Sequence, residues 1–201
     1  MNSAALNASE QGEHETARAQ FRAIRERAQE IGDRMIVSFA TINLGGAAWR
    51  AGDFRAGLEE SQRAVELFRE DGDVGGEATA LENCGWNSLG LSDPGRAKAF
   101  FREALEIFGR LGGMRGIAVN AVGFGASVIA EGDAERGVQL FAATASLRAE
   151  LGIDLTEDEE KRPHDEAVAR ARAALGEERF AAAWSRGEDM KPEEIVALAL
   201  A

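Results

Sequence analysis

The sequence predicts an all-α protein built from repeated helix hairpins, and three observations lead to that class. Two series of helix-ending residues run through the chain with a spacing of 40 residues: Gly32, Gly72, Gly112 and Gly152, and between them Gly12, Gly52, Ser92 and Gly132. Apolar and small residues recur at intervals of three and four, the period of an amphipathic helix. The composition of 23 Gly, 3 Pro and no Tyr favours closely packed helices over a β-sandwich.

Each unit of 40 residues is predicted to hold two helices, because Gly ends helices in the left-handed conformation at low steric cost. The spacing predicts a partial first repeat over 1–31, in which 12–30 is a second helix. Three complete repeats follow, over 32–71, 72–111 and 112–151. An array that starts in the middle of a repeat exposes an apolar face. We therefore expect the chain to be a piece of a longer protein or to dimerise.

Small residues inside the predicted helices recur in register with the repeats. Gly45, Gly85 and Gly125 lie within the first helices, where each costs about 1 kcal/mol relative to Ala. Because this cost in helix stability recurs at the same position of each repeat, we expect it to be offset by close approach of the backbones of paired helices. The matching small residues on the second helices are Gly57, Ala97 and Gly137.

Residues 152–201 follow a different pattern and are predicted to form a C-terminal helical cap. Thr156 to Glu159 has the sequence of a capping box, and Pro163 permits a break or a new first turn. Gly176 is predicted to end a helix, and Pro192 to begin the last one.

The repeated small and aromatic positions carry a family resemblance. Ala97-x3-Phe101-x2-Ala104, preceded by a hydrophobic-Gly pair such as Cys84-Gly85, resembles the tetratricopeptide (TPR) pattern over residues 12–151. The resemblance implies a right-handed TPR-like superhelix of helix hairpins, here with a period of 40 residues instead of about 34. The aromatic residue that usually starts the first helix and the Pro that closes the repeat are missing.

The C-terminal residues carry a second resemblance. Residues 173–186 and 191–199 resemble the extreme C-terminus of bacterial signal-transduction ATPases and of LuxR- or SARP-like transcriptional regulators that end in a TPR array. This resemblance implies an array that senses an effector or partner and controls ATPase or DNA-binding modules. The sequence itself has neither a G-x4-G-K-[ST] phosphate loop nor a basic recognition helix.

Composition argues against several other function classes. A net charge of −12 disfavours binding to duplex nucleic acid, and no apolar run is long enough to span a membrane. Without a signal-peptide pattern, a soluble, cytoplasmic protein is expected. Cys84 stands alone, and His14 and His164, each in a charged setting, are predicted to be solvated surface residues. We therefore expect no catalytic residue, metal or cofactor, and no enzyme activity.

The first helices of a TPR array line its concave side, so their non-packing positions are the predicted binding residues. Asn43 and Asn83 occupy the same place in consecutive repeats and could hydrogen-bond the backbone of an extended peptide. Trp49 and Trp86 either supply apolar contact there or close the core between adjacent helices. The predicted concave-groove residues are Phe39, Ile42, Asn43, Trp49, Arg50, Glu82, Asn83, Trp86 and Val122.

Together these patterns predict a non-catalytic module that binds a protein or peptide ligand. The resemblances imply that it is the regulatory or sensor part of a bacterial signalling or transcription regulator. Two alternatives remain open from the sequence. One is a peptide-pheromone-type receptor, which is also built on TPR units of about 40 residues. The other is a structural self-association module that forms a homodimer.

Overall fold

The computed structural model describes residues 4–5, 8, 12–153 and 158–201. Within those ranges the chain forms nine α-helices with defined bounds and no β-strand. In chain order the helices are α1 (His14–Ile31), α2 (Arg34–Arg50), α3 (Phe54–Asp71), α4 (Val74–Gly90), α5 (Pro94–Leu111), α6 (Met114–Ala130), α7 (Ala134–Leu151), α8 (Asp158–Gly187) and α9 (Pro192–Leu200). The predicted all-α class is confirmed.

The chain divides into two compact units, Met1–Leu91 and Ser92–Ala201. In the first unit, each of the helices α1 to α4 contacts the next, and α2 also contacts α4. In the second unit, α5 to α8 contact one another in the same sequential way, and α9 lies against α5, α6 and α7. The boundary falls inside the predicted repeat 72–111. The division into 1–31, 32–151 and 152–201 stays a prediction.

The turns between helices share one design, in which a residue with positive φ is followed by a capping residue. The turn residues Gly32, Gly52, Gly72, Gly112 and Gly152 have φ between 63° and 75°, Gly132 has φ 103°, and Ser92 is also left-handed with φ 59°. After most of these turns an Asp side chain accepts a hydrogen bond of 2.9–3.3 Å from a backbone N–H of the first helical turn, as Asp33, Asp53, Asp73, Asp93 and Asp133 do. This contact satisfies one of the N–H groups that a helix start leaves unpaired.

The small residues bring helix backbones close together, as predicted. A Cβ atom on Gly137 would lie 2.7 Å from the carbonyl oxygen of Gly125, and one on Gly45 would lie 3.2 Å from that of Gly57. Both distances are shorter than ordinary van der Waals contact. The pair α6–α7 therefore leaves no room for a Cβ atom at Gly137, and the pair α2–α3 is tightly packed at Gly45.

The start of the described chain covers the apolar side of α1. Ala5 and Ala8 are helical and buried, and they belong to one cluster with Phe21 of α1 and Leu44 of α2. These two alanines cover part of α1, and the expectation that the start of the array exposes an apolar face stays a prediction.

The C-terminal region differs in part from the sequence prediction. Pro163 lies inside α8 without ending it, whereas Gly176 breaks the helix into two legs with φ 73° and ψ 165°. Glycine adopts that conformation without the strain that a side chain would bring. The predicted capping box from Thr156 to Glu159 falls outside the residues whose side chains the structure describes.

The helix α6 is enclosed by the helices around it. Its residues from Gly116 to Ile129 are all buried, because α5, α7, α8 and α9 contact it. The guanidinium of Arg136 on α7 donates to the carbonyl oxygens of Leu198 and Ala199 at 2.9 and 3.0 Å. These bonds hold the C-terminal end of α9 in place.

Candidate apolar interaction site on the first unit

An exposed apolar surface lies at the start of α2 and α4. On α2, Met35 is 63% exposed and Phe39, one turn later, is 45% exposed, with Ile36 beside them also exposed. Val74 is exposed at the start of α4. We call Met35, Ile36, Phe39 and Val74 the first-unit apolar surface. Large apolar side chains grouped on a protein surface are typical of interaction sites.

Aromatic packing links the two halves of this surface. The ring of Phe39 meets the ring of Phe68, at the end of α3, edge to face with a centroid distance of 5.6 Å. Phe68 in turn lies against Gly76 on α4, where a Cβ atom would collide with its ring. The glycine at 76 thus lets Phe68 support Phe39 from below while Phe39 keeps almost half of its surface exposed.

Polar side chains continue the exposed face of α2 beyond Phe39. Asn43 follows one turn later and Arg50 two turns after that, and both are half-buried. On α4, Glu82 and Asn83 are also half-buried, and the Asn83 amide donates to the carbonyl oxygen of Ile42 at 3.4 Å. This bond of Asn83 joins α4 to α2, and Asn43 lies one helical turn after Phe39 on α2.

The two tryptophans of the first unit lie in the core between the first helices of consecutive repeats. Trp49 is 8% and Trp86 is 3% exposed, and their rings lie 6.2 Å apart, tilted by 41°. Ile42 is buried as well. Of the two interpretations that the sequence left open, closing the core is the one that matches the placement of both tryptophans.

The structure therefore brings together only some of the predicted groove residues. Phe39, Asn43 and Arg50 share the accessible face of α2, and Glu82 and Asn83 lie on α4. Val122 belongs to the second unit and is completely buried, since α8 and α9 also contact its helix. Sequence reasoning missed Met35, Ile36 and Val74. The spacing of four residues between Met35 and Phe39 was the available signal.

Ion pairs border the apolar surface. Arg34, the neighbour of Met35, donates to Glu70 and Asp71 of α3 at 2.9 Å each. The hydrogen bonds that Arg34 donates, to Glu70 first and then to Asp71, raise the pKa of Arg34 above its ordinary value. Arg69 pairs with Glu77 of α4 at 2.6 Å. These cations are balanced by carboxylates of the same chain, so the surface between them offers apolar contact more than net charge.

Within the described ranges, no three His, Cys, Asp or Glu side chains are grouped so that they could hold a metal ion. None of the helices in those ranges combines the length and the apolar character needed to cross a membrane.

Comparison with known proteins bears on the repeated part of the chain. Residues 38–110 match the Tetratricopeptide repeat family. The TPR match contains Phe39, Asn43 and Asn83, and TPR arrays are repeat structures whose extended surfaces serve protein interaction. The crystal structure of BtubC (BKLC) from P. vanneervenii is similar to this chain, with a TM-score of 0.66, 20% identity and coverage of 96% of this chain and 77% of that chain. This likeness shows a shared fold. No curated protein matches the sequence.

Proposed function

We propose that this chain is a non-catalytic module that binds a protein or peptide through the first-unit apolar surface. The exposure of Phe39 and Met35 on one face of α2 carries the proposal. Exposing two large apolar side chains costs free energy that a partner recovers by covering them, at roughly 25 cal/mol for each Å² of apolar surface. The TPR match over residues 38–110 supports the same class of function.

The chemistry of the surface favours a partner with apolar or aromatic side chains and an accessible backbone. Phe39 presents part of its ring to the partner, and unbranched Met35 adapts to different shapes. The amide of Asn43 can both donate to and accept from a peptide backbone. A net charge of −12 attracts basic partners toward the chain and repels acidic ones.

The finer role that we propose is the regulatory or sensor part of a bacterial signalling or transcription regulator. The TPR match and the resemblance of the C-terminal residues to such regulators support this role. A partner that contacts both α2 and α4 favours one spacing between these helices over others. Binding then acts by increasing the population of molecules that have this spacing between α2 and α4.

Selection from a library of displayed random peptides against the full chain tests the proposed binding. We expect enriched peptides rich in apolar and aromatic residues, with affinities measured by fluorescence anisotropy. Phe39→Ser with Met35→Ser should weaken binding by at least about tenfold, because side chains of central contact residues each contribute about 1–2 kcal/mol. Asn43→Ala should weaken binding less.

A matched control uses Leu111→Ser with Met114→Ser, which removes two exposed apolar side chains from the second unit. This variant should bind the selected peptides as the unchanged chain does. Peptides that bind equally to the Phe39 and Met35 variant, or a library from which nothing is enriched, would contradict the proposed site. Thermal unfolding of each variant confirms that lost binding does not come from lost folding.

A further inference from the structure

A cleft between the two legs of α8 lies in the second unit, apart from the surface proposed above. The break at Gly176 turns 177–187 back beside 158–175, and the legs enclose a volume of about 490 Å³. That volume falls in the range of small-molecule sites. Its main lining side chains are His164, Asp165, Arg172, Glu177, Phe180 and Trp184.

The cleft already holds one guanidinium group, which belongs to the chain itself. Arg172 lies over the ring of Phe180, with its guanidinium carbon 4.1 Å from the ring centroid, and it pairs with the carboxylate of Glu177. A cation held between an aromatic face and a carboxylate is a favourable arrangement in proteins. The cleft thus contains an internal example of the chemistry that it can bind.

A second aromatic face lies next to this arrangement. The ring of Trp184 stacks on Phe180 with a centroid distance of 6.0 Å and an angle of 20°. Its indole N–H donates to Glu188 at 3.2 Å, which fixes the orientation of the ring. Indole is the aromatic side chain that binds cations best.

The charges around the cleft favour a cation over an anion. The carboxylates of Asp165 and Glu177 line the cleft and are exposed, and Glu188 lies beside Trp184. Arg172 is the cation among the lining residues that the structure describes, and Glu177 balances it. Arg148 is not a lining residue, although its positive charge acts on His164, so the three carboxylates outnumber the two arginines. Burial lowers the pKa of His164, so this side chain adds no positive charge at neutral pH.

We propose that the cleft binds a guanidinium or ammonium group, the side chain of an arginine or lysine, on the ring of Trp184 between Asp165 and Glu177. A free amino acid derivative and a basic residue of a partner peptide present the same chemistry. Arg172 competes with the ligand, because its guanidinium group pairs with the Glu177 carboxylate and repels a second cation.

NMR of the full ¹⁵N-labelled chain tests this site through the indole N–H signal of Trp184, which Trp184→Phe identifies among the signals of the three tryptophans. The probe is N-acetyl-arginine methylamide, and its neutral counterpart is N-acetyl-citrulline methylamide. We expect the arginine probe to shift the Trp184 signal with saturation and the citrulline probe to leave it in place. A peptide with one arginine, compared with the free probe, distinguishes a peptide ligand from a small molecule.

Three variants test which charged side chains affect binding of the arginine probe. Asp165→Asn with Glu177→Gln should weaken binding about fivefold or more, as expected for the loss of exposed ion pairs. Arg172→Met should strengthen it, because the internal competitor is removed. Glu178→Gln, an exposed carboxylate outside the cleft, is the matched control and should change nothing. Equal shifts with both probes, no saturable shift, or unchanged affinity in the double variant would overturn the proposal.

Discussion

At the scale of single residues, Gly137 shows how far the packing depends on the absence of a side chain. A Cβ atom at this position would lie 2.7 Å from the backbone carbonyl oxygen of Gly125. A side chain can rotate away from such a clash, but a helix backbone moves only together with its neighbours. The approach of α6 and α7 is therefore set by two glycines that face each other.

Gly137→Ala should lower the free energy of unfolding by about 1–3 kcal/mol, the usual cost of forcing an extra carbon into a packed core. Urea unfolding followed by circular dichroism measures it. Gly75→Ala is the matched control, because a Cβ atom on Gly75 of α4 would meet only the Asp73 carboxylate at 3.6 Å. The control should gain about 0.5 kcal/mol from reduced chain entropy. A Gly137 variant as stable as the control would show that α6 and α7 have room to separate.

At the scale of elements, α9 is a short helix that depends on contacts with α5, α6 and α7. Nine residues form too few backbone hydrogen bonds to be stable alone in water. Ile195 and Ala199 are fully buried, and the side chain of Val196 lies against Gly109 of α5. Arg136 binds the carbonyl groups that the end of the helix leaves unpaired.

Arg136→Met should release the C-terminal end of α9. Two hydrogen bonds from a charged donor are lost, at a cost of about 1.5–3 kcal/mol. Hydrogen exchange measured by mass spectrometry should show the amides of 195–200 exchanging at least about tenfold faster, while α3 keeps its protection. Arg115→Met, which removes an exposed arginine of α6, serves as the control. Unchanged exchange in α9 would mean that its apolar contacts alone hold it.

The helix ends could be predicted from the sequence more readily than the packing between helices. Positive φ and an Asp cap depend on one or two residues, so Gly72 followed by Asp73 is sufficient to locate a turn. The enclosure of α6 was not predictable, because it depends on α8 and α9, which follow no repeat. For the same reason Val122 was assigned to a groove although the structure buries it completely.

The candidate site was predictable only in part. Phe39 and Asn43 follow from the register of the repeat, since both fall on non-packing positions of α2. The burial of Trp49 and Trp86 depends on the distance between α2 and α4, which no spacing in the sequence specifies. His164 was expected to be solvated, but its ring packs on Phe141 with a centroid distance of 4.6 Å.

At the scale of the whole molecule, His164 links stability to pH. Burial of the ring is the main cause that lowers its pKa below the ordinary 6.5, with the charge of Arg148 acting in the same direction and Asp165 opposing it. The unfolded chain therefore binds a proton more readily than the folded chain does. The contribution of neutral His164 to the stability of the fold is fully present above about pH 6.5. It is lost as the pH falls toward the lowered folded-state pKa.

The prediction is that the unfolding temperature decreases between pH 7 and pH 5, and that His164→Gln decreases less over the same range. Calorimetry of both chains in buffers of equal ionic strength measures the difference. If His164→Gln shows the same pH dependence as the unchanged chain, the proton is taken up elsewhere.

The paired indoles of Trp49 and Trp86 have a practical consequence for spectroscopy. Two aromatic chromophores 6.2 Å apart couple when they absorb light, and this coupling gives a circular dichroism signal that is sensitive to their mutual angle. Trp184, on the other unit, is the remaining indole of the chain. The indole signals of a Trp184→Phe chain would therefore report on the first unit alone, without any added dye.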